Sequence, residues 1–235
     1  MTYLEDATTA AVVEHEFVLG LVPRDWIEGR GDAAFTFAGP AIVGSSVVPP
    51  LLSVVVDRTW IVGLALIGLG VLATVLGVLA LFPRLRRAAP RVSVAGALSA
   101  TVGGFAALTL LALVAVAVVS IYGLEIDPPP PTAFFRSVMV VMSAGFGFGT
   151  LLSGVAIART GVPSRSVGRL LTVAGLSVLI PGSIVVVTTI LEGSSPSWVL
   201  FLGIALAALT VYLAGRRLRT VNAVADDDST AGDHD

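Results

Sequence analysis

The chain has 235 residues, 55% apolar or aromatic and 13% charged, about half of the roughly 25% charge content of an ordinary soluble domain. A formal net charge of −2, with no basic stripe interleaved with aromatics, excludes nucleic acid as the expected partner. The lack of cysteine excludes disulfides, thiolate metal sites and thiol nucleophiles, and the lack of lysine excludes Schiff-base and phosphate-loop lysine chemistry.

The first 32 residues are acidic, with Glu5, Asp6, Glu14, Glu16, Asp25, Glu28 and Asp32. They lack the basic start and short apolar core of a cleavable signal peptide. A helix is predicted from Thr8 or Thr9 through Leu21, stopped by Pro23, with Val12, Val13, Phe17 and Leu21 spaced at helical intervals. Its acidity would be repelled by anionic headgroups, so docking on the chain's own arginine loops is the expected role. His15 lies between Glu14 and Glu16. Consecutive helical residues point about 100° apart and cannot converge on one ion, so no metal site is expected.

Six uncharged runs follow, at 33–56, 59–83, 92–124, 137–158, 170–191 and 193–215. Each has at least about 20 residues, the length a helix needs to cross roughly 30 Å of hydrocarbon. Backbone amides in lipid must be satisfied within the segment, so continuous apolar runs predict helices, and a barrel would need alternating polarity. The first run contains Pro40, Pro49 and Pro50. It predicts a kinked crossing; as a re-entrant or interfacial segment it would leave five crossings. The fold class expected is thus an all-α polytopic transmembrane helix bundle of six spans. Its organisation is an acidic amino-terminal segment over 1–32, the bundle over 33–219 and an acidic tail over 220–235, read as disordered.

Arginines assign the orientation. Arg84, Arg86, Arg87 and Arg91 lie between the second and third runs, Arg159, Arg165 and Arg169 between the fourth and fifth, and Arg216, Arg217 and Arg219 after the sixth. Alternation puts all three groups on one side, where they reach lipid phosphates. The other side has Arg58 and Arg136 beside Asp57, Glu125, Asp127 and Glu192. Positive charge is retained inside, which predicts a plasma membrane protein with a cytoplasmic carboxyl terminus and, for six crossings, a cytoplasmic amino terminus. Trp60, Tyr122, Phe134, Phe135 and Trp198 fall near the outer ends of the runs as an aromatic belt. Pro128 to Pro131 predict a stiff polyproline connector.

Small residues recur every four positions. Ala95, Ser99, Gly103 and Ala107 form one ladder, with Gly96, Ala100 and Gly104 beside it, and Gly145, Gly149 and Ser153 form another. On helices such ladders let a neighbouring backbone approach, so these residues are the candidate packing surface, within the chain or between copies; the alternative is that they line a narrow pore. The runs hold no Asp, Glu, Arg, Lys or His. That argues against proton-coupled pumps, voltage sensors and intramembrane proteases, so no catalytic residue, cofactor or metal ligand is expected. Pro181, Gly182 and Ser183 interrupt the fifth run. Such a break is either a simple kink or a solute site of the kind found in transporters.

The hairpin spanning 143–191 carries Arg159-Thr160-Gly161-Val162-Pro163, then Gly168 and a Leu-rich stretch ending in Val173-Ala174-Gly175. It resembles a block found in small polytopic membrane proteins of unknown function. The resemblance implies a bundle of five to seven helices and brings no catalytic residues. The arginine-only basic set and the acidic tail also resemble the residue usage of high-GC or salt-adapted proteomes. The function expected is a noncatalytic scaffold or interaction protein whose partners are the bilayer and either another protein or a second copy. A permease or channel for an uncharged solute is the alternative, and an intramembrane enzyme comes third.

Overall fold

A computed structural model describes residues 30–53, 58–124, 133–192 and 197–231. Among them every regular element is helical: α1 (Gly31–Leu52), α2 (Trp60–Ala88), α3 (Pro90–Val118, prolonged by a π turn over Val119–Gly123), α4 (Ala133–Thr160), α5 (Arg165–Glu192) and α6 (Ser197–Ala231). All six are long and apolar enough to cross a membrane. The amino-terminal helix expected before Pro23, the proline connector and residues 232–235 lie outside the described residues.

The proline-rich first run is one continuous helix containing Pro40, Pro49 and Pro50. Pro49 cannot donate to Ser45 O, and the surface over that carbonyl is glycine: a Cβ on Gly63 of α2 would lie 2.9 Å from both Ser45 O and Pro49 Cγ. The freed carbonyl is thus covered closely by α2 at a position where only glycine leaves room. The same device recurs in α5, where Pro181 frees Ser177 O and both press on Gly203 of α6.

Each helix packs on its neighbours in sequence, α6 closes back on α1, and a lesser contact joins α2 to α4. One continuous core runs through the ring, with Phe35, Leu85, Leu110, Met142, Ile157 and Leu171 almost wholly buried. Phe35 fits where α2 and α6 lack side chains, against Gly77 and Gly215. Lipid tails are as apolar as these residues, so close packing and dispersion rather than water exclusion hold the ring together.

Buried hydroxyls are satisfied locally. Thr74 donates to Gly70 O, Thr150 to Phe146 O, Ser177 to Ala174 O and Thr210 to Leu206 O, at 2.8–2.9 Å. Among the described residues no buried side-chain nitrogen or oxygen lacks a partner. In hydrocarbon an unpaired group would cost several kcal/mol, which is why these hydroxyls turn back on their own helices.

The tail reading is corrected as far as Ala231: the backbone from Val221 continues α6 as helix. Extending a helix already nucleated in the membrane fixes only one residue per hydrogen bond, so acidic residues do not stop it. At 35 residues α6 is roughly 50 Å long, against roughly 30 Å of hydrocarbon, and its end projects beyond the bundle.

Candidate functional site

The chain direction of six antiparallel helices gathers Arg84, Arg86, Arg87, Arg91, Arg159, Arg165, Arg169, Arg216, Arg217 and Arg219 at one end, and all ten are exposed. Leu85 sits among the first three with only 2% of its surface accessible, anchoring the turn while its charged neighbours point away. Arg86 and Arg87 lie in the last turn of α2 and Arg159 in the last turn of α4. There the negative end of the helix dipole favours them. Arg165 opens α5, where the dipole favours an acid instead. The opposite end carries Trp60, Tyr122 and Phe134, all exposed.

Arg219 Nε lies 3.2 Å from Asp32 Oδ2, joining the end of α6 to the start of α1. Asp32 is the single carboxylate among residues whose side chains are described. At the same end, Arg165, Ser166 and Arg169 of α5 and Leu213 and Arg217 of α6 line an open groove of about 400 Å³, with Leu170 on its wall. The connection leading into it turns at Gly161, whose φ of +76° is left-handed and favours glycine. Gly161 N donates to Ile157 O at 2.8 Å, closing α4. Ser164 and Ser166 share a hydroxyl–hydroxyl bond of 2.8 Å, and Ser164 O accepts from Gly168 N at 3.2 Å to start α5.

The small-residue ladders meet in a register that differs in part from the sequence reading. Gly103 lies against Gly145, Ala100 against Gly149 and Gly96 against Ser153, with the Ser99 carbonyl over Gly145. Ala95 is exposed and takes no part in this contact, and Ala107, fully buried, turns its carbonyl toward Gly68 of α2. The stripe one residue along, Gly96 and Ala100, therefore does the packing expected of Ala95 and Ser99. The contact lies within one chain. A Cβ at Gly103 would come within 2.8 Å of Phe146 N, so only glycine allows this approach.

Sequence reading missed a second set. Gly147 and Gly154 on α4 lie against Gly175 and Gly168 on α5, each pair equidistant along the chain from Gly161. A Cβ at Gly175 would meet Gly147 O at 2.6 Å, and one at Gly154 would meet Gly168 O at 2.8 Å and the Thr172 amide. The signal was the seven-residue spacing of Gly147, Gly154, Gly161, Gly168, Gly175 and Gly182, which keeps glycine on one stripe through two helix turns.

The Pro181–Ser183 break does not face the interior. Pro181 packs on Gly203, Gly182 has nothing within 4 Å of where its Cβ would be, and Ser183 is exposed and bonded to Leu179 O at 2.7 Å. α5 runs on as helix through Pro181, which lies against α6. A second recess, of about 510 Å³, lies between α1 and α6 and is lined by Val43, Ser46, Val47, Phe201, Leu202, Ile204 and Ala205.

No protein-family model, no curated protein and no solved structure matches the chain.

Proposed function

We propose that this membrane protein is a noncatalytic scaffold of the cytoplasmic membrane, presenting its arginine end to headgroups or a protein partner on the cytoplasmic side. The observation that carries the reading is the division of the molecule. The interfaces of α3, α4 and α5, where a solute path would run, are filled by backbone-to-backbone contact at Gly103, Gly145, Gly154 and Gly175. Thr150 and Ser177, buried there, donate to carbonyls of their own helices, while ten exposed arginines gather at one end. A polar interior is what transport or intramembrane chemistry would use. A charged end surface is what binding uses.

Two measurements test it. Proteoliposomes of the full chain should pass an uncharged probe such as glycerol no faster than protein-free vesicles; flux that rises with protein content overturns the scaffold in favour of a permease. Reporter fusions after Asp32, Arg58 and Gly215 should read inside, outside and inside. An external reporter at Gly215 would reverse the assigned face.

A further inference from the structure

We infer that the groove between the start of α5 and the end of α6 binds the phosphate of an anionic phospholipid, with an acyl chain running down its leucine wall. Three guanidinium groups from two helices line one recess: Arg165 and Arg169 are one turn apart on α5, and Arg217 faces them from α6. Arginine forks match phosphate oxygens geometrically, and two arginines one turn apart can hold a single headgroup from two directions. Among the described residues no carboxylate lines the groove. Asp32, the one acid whose side chain is described, is paired with Arg219. The positive end of the α5 dipole adds to the same sign of charge, so the recess is complementary to an anion.

The apolar wall separates lipid from free phosphate. α5 enters the membrane from Arg165 and α6 leaves it through Arg217, so Leu170 and Leu213 lie on the hydrocarbon side of the arginines. Leu213 is 39% exposed along this path. A phosphate held by the three arginines would have its glycerol and chains directed along Leu213, as a lipid resting in the leaflet does. A soluble phosphate compound would leave that wall uncovered. The inference rests on the proposed function only in treating the arginine end as a contact surface, and it holds for a scaffold or a permease alike.

The test is native mass spectrometry of the full-length chain in detergent, titrated with dioleoyl phosphatidylglycerol or dioleoyl phosphatidylcholine. One phosphatidylglycerol should be retained at a concentration about tenfold below that needed for phosphatidylcholine. The R169Q/R217Q variant should lose that preference, R169K/R217K should keep only part of it because an ammonium lacks the fork, and R136Q at the opposite end of the bundle should keep all of it. Glycerol 3-phosphate at millimolar concentration should fail to displace the lipid. A preference that survives R169Q/R217Q overturns the inference, as does complete displacement by glycerol 3-phosphate, which would mean a soluble ligand. A preference seen only after E14Q/E16Q would show the acidic amino-terminal segment to be the occupant instead. Equal loss in R136Q and R169Q/R217Q would replace the groove by diffuse attraction while leaving the scaffold reading intact; glycerol flux would do the opposite.

Discussion

The hairpin of α4 and α5 and the seam of α1 and α6 solve the same packing problem with different resources. In the hairpin, a short connection fixes the two helices side by side, and glycine on both partners brings backbone against backbone at two levels, Gly147 with Gly175 and Gly154 with Gly168. The seam joins the first and last helices, with most of the chain between them. Its glycines meet side chains as well as backbone: Gly39 faces Tyr212 Cβ and Ala208 O, and Gly215 faces Thr36. It is tied at one end by Asp32 and Arg219, and farther along the pair opens into the apolar recess between Val43 and Phe201. Both contacts are close, but the hairpin is fixed by its short connection, whereas the seam closes only through the rest of the ring and has more room to adjust.

The hardest test of that difference is Gly154→Leu. Its Cβ would strike the Thr172 amide and Gly168 O, so the helices must separate. We expect a loss of about 3 kcal/mol or more, the upper range for overpacking, read as loss of a monodisperse peak or a large fall in thermal midpoint in detergent. Unchanged behaviour would mean the hairpin is looser than its glycines indicate.

At the seam Gly39→Ala should cost less. The added methyl would meet Tyr212 Cβ at 2.6 Å and Ala208 O at 2.7 Å, but α6 is free to shift because its connection to α1 runs through the whole ring. A loss of about 1–2 kcal/mol is expected, measured by the same thermal scan. A fall as large as that of Gly154→Leu would remove the distinction between the two contacts.

Asp32→Asn probes the tie itself. Arg219 is 61% exposed and Asp32 16%, so the pair is partly screened and should contribute about 0.2–1 kcal/mol. The difference between variant and parent should shrink as salt rises from low to about 1 M, where the screening length is about 3 Å. An effect insensitive to salt would show that Asp32 acts through packing at the start of α1.

Marking the charges was enough to find six helices, because ionisable groups are expelled from hydrocarbon whatever the fold. It misplaced their ends for the same reason. Charge marks where the membrane stops, and a helix continues through it: α2 carries Arg84, Arg86 and Arg87 inside its last turns, and α6 runs through Val221 to Ala231. The ladder on α3 was visible as small residues at four-residue intervals, yet two adjacent stripes qualified, turned about 100° from each other. Only the position of α4 chooses Gly96 and Ala100 over Ala95. The hairpin stripe went unread although its seven-residue period marks it, with Gly161 at the turn making the two arms mirror each other along the chain. The arginine groove could not be read in this way. That Arg169 and Arg217 share one recess depends on α5 packing beside α6, which no local pattern specifies.

The smallest expected effect separates packing glycines from merely glycine-containing helix. Gly175 and Gly182 belong to one stripe of α5, seven residues apart, and a sequence cannot rank them. Gly175→Ala places a methyl 2.6 Å from Gly147 O, while Gly182→Ala places one in open space facing outward. The first should destabilise by about 1–3 kcal/mol. The second should be neutral or stabilise by up to about 1 kcal/mol, since alanine restricts the unfolded chain more than glycine and meets no neighbour in the fold. Opposite signs in paired thermal scans would show that α4 covers the first stretch of the stripe and releases it before Pro181; equal losses would mean that another helix or a second copy covers Gly182 in the membrane.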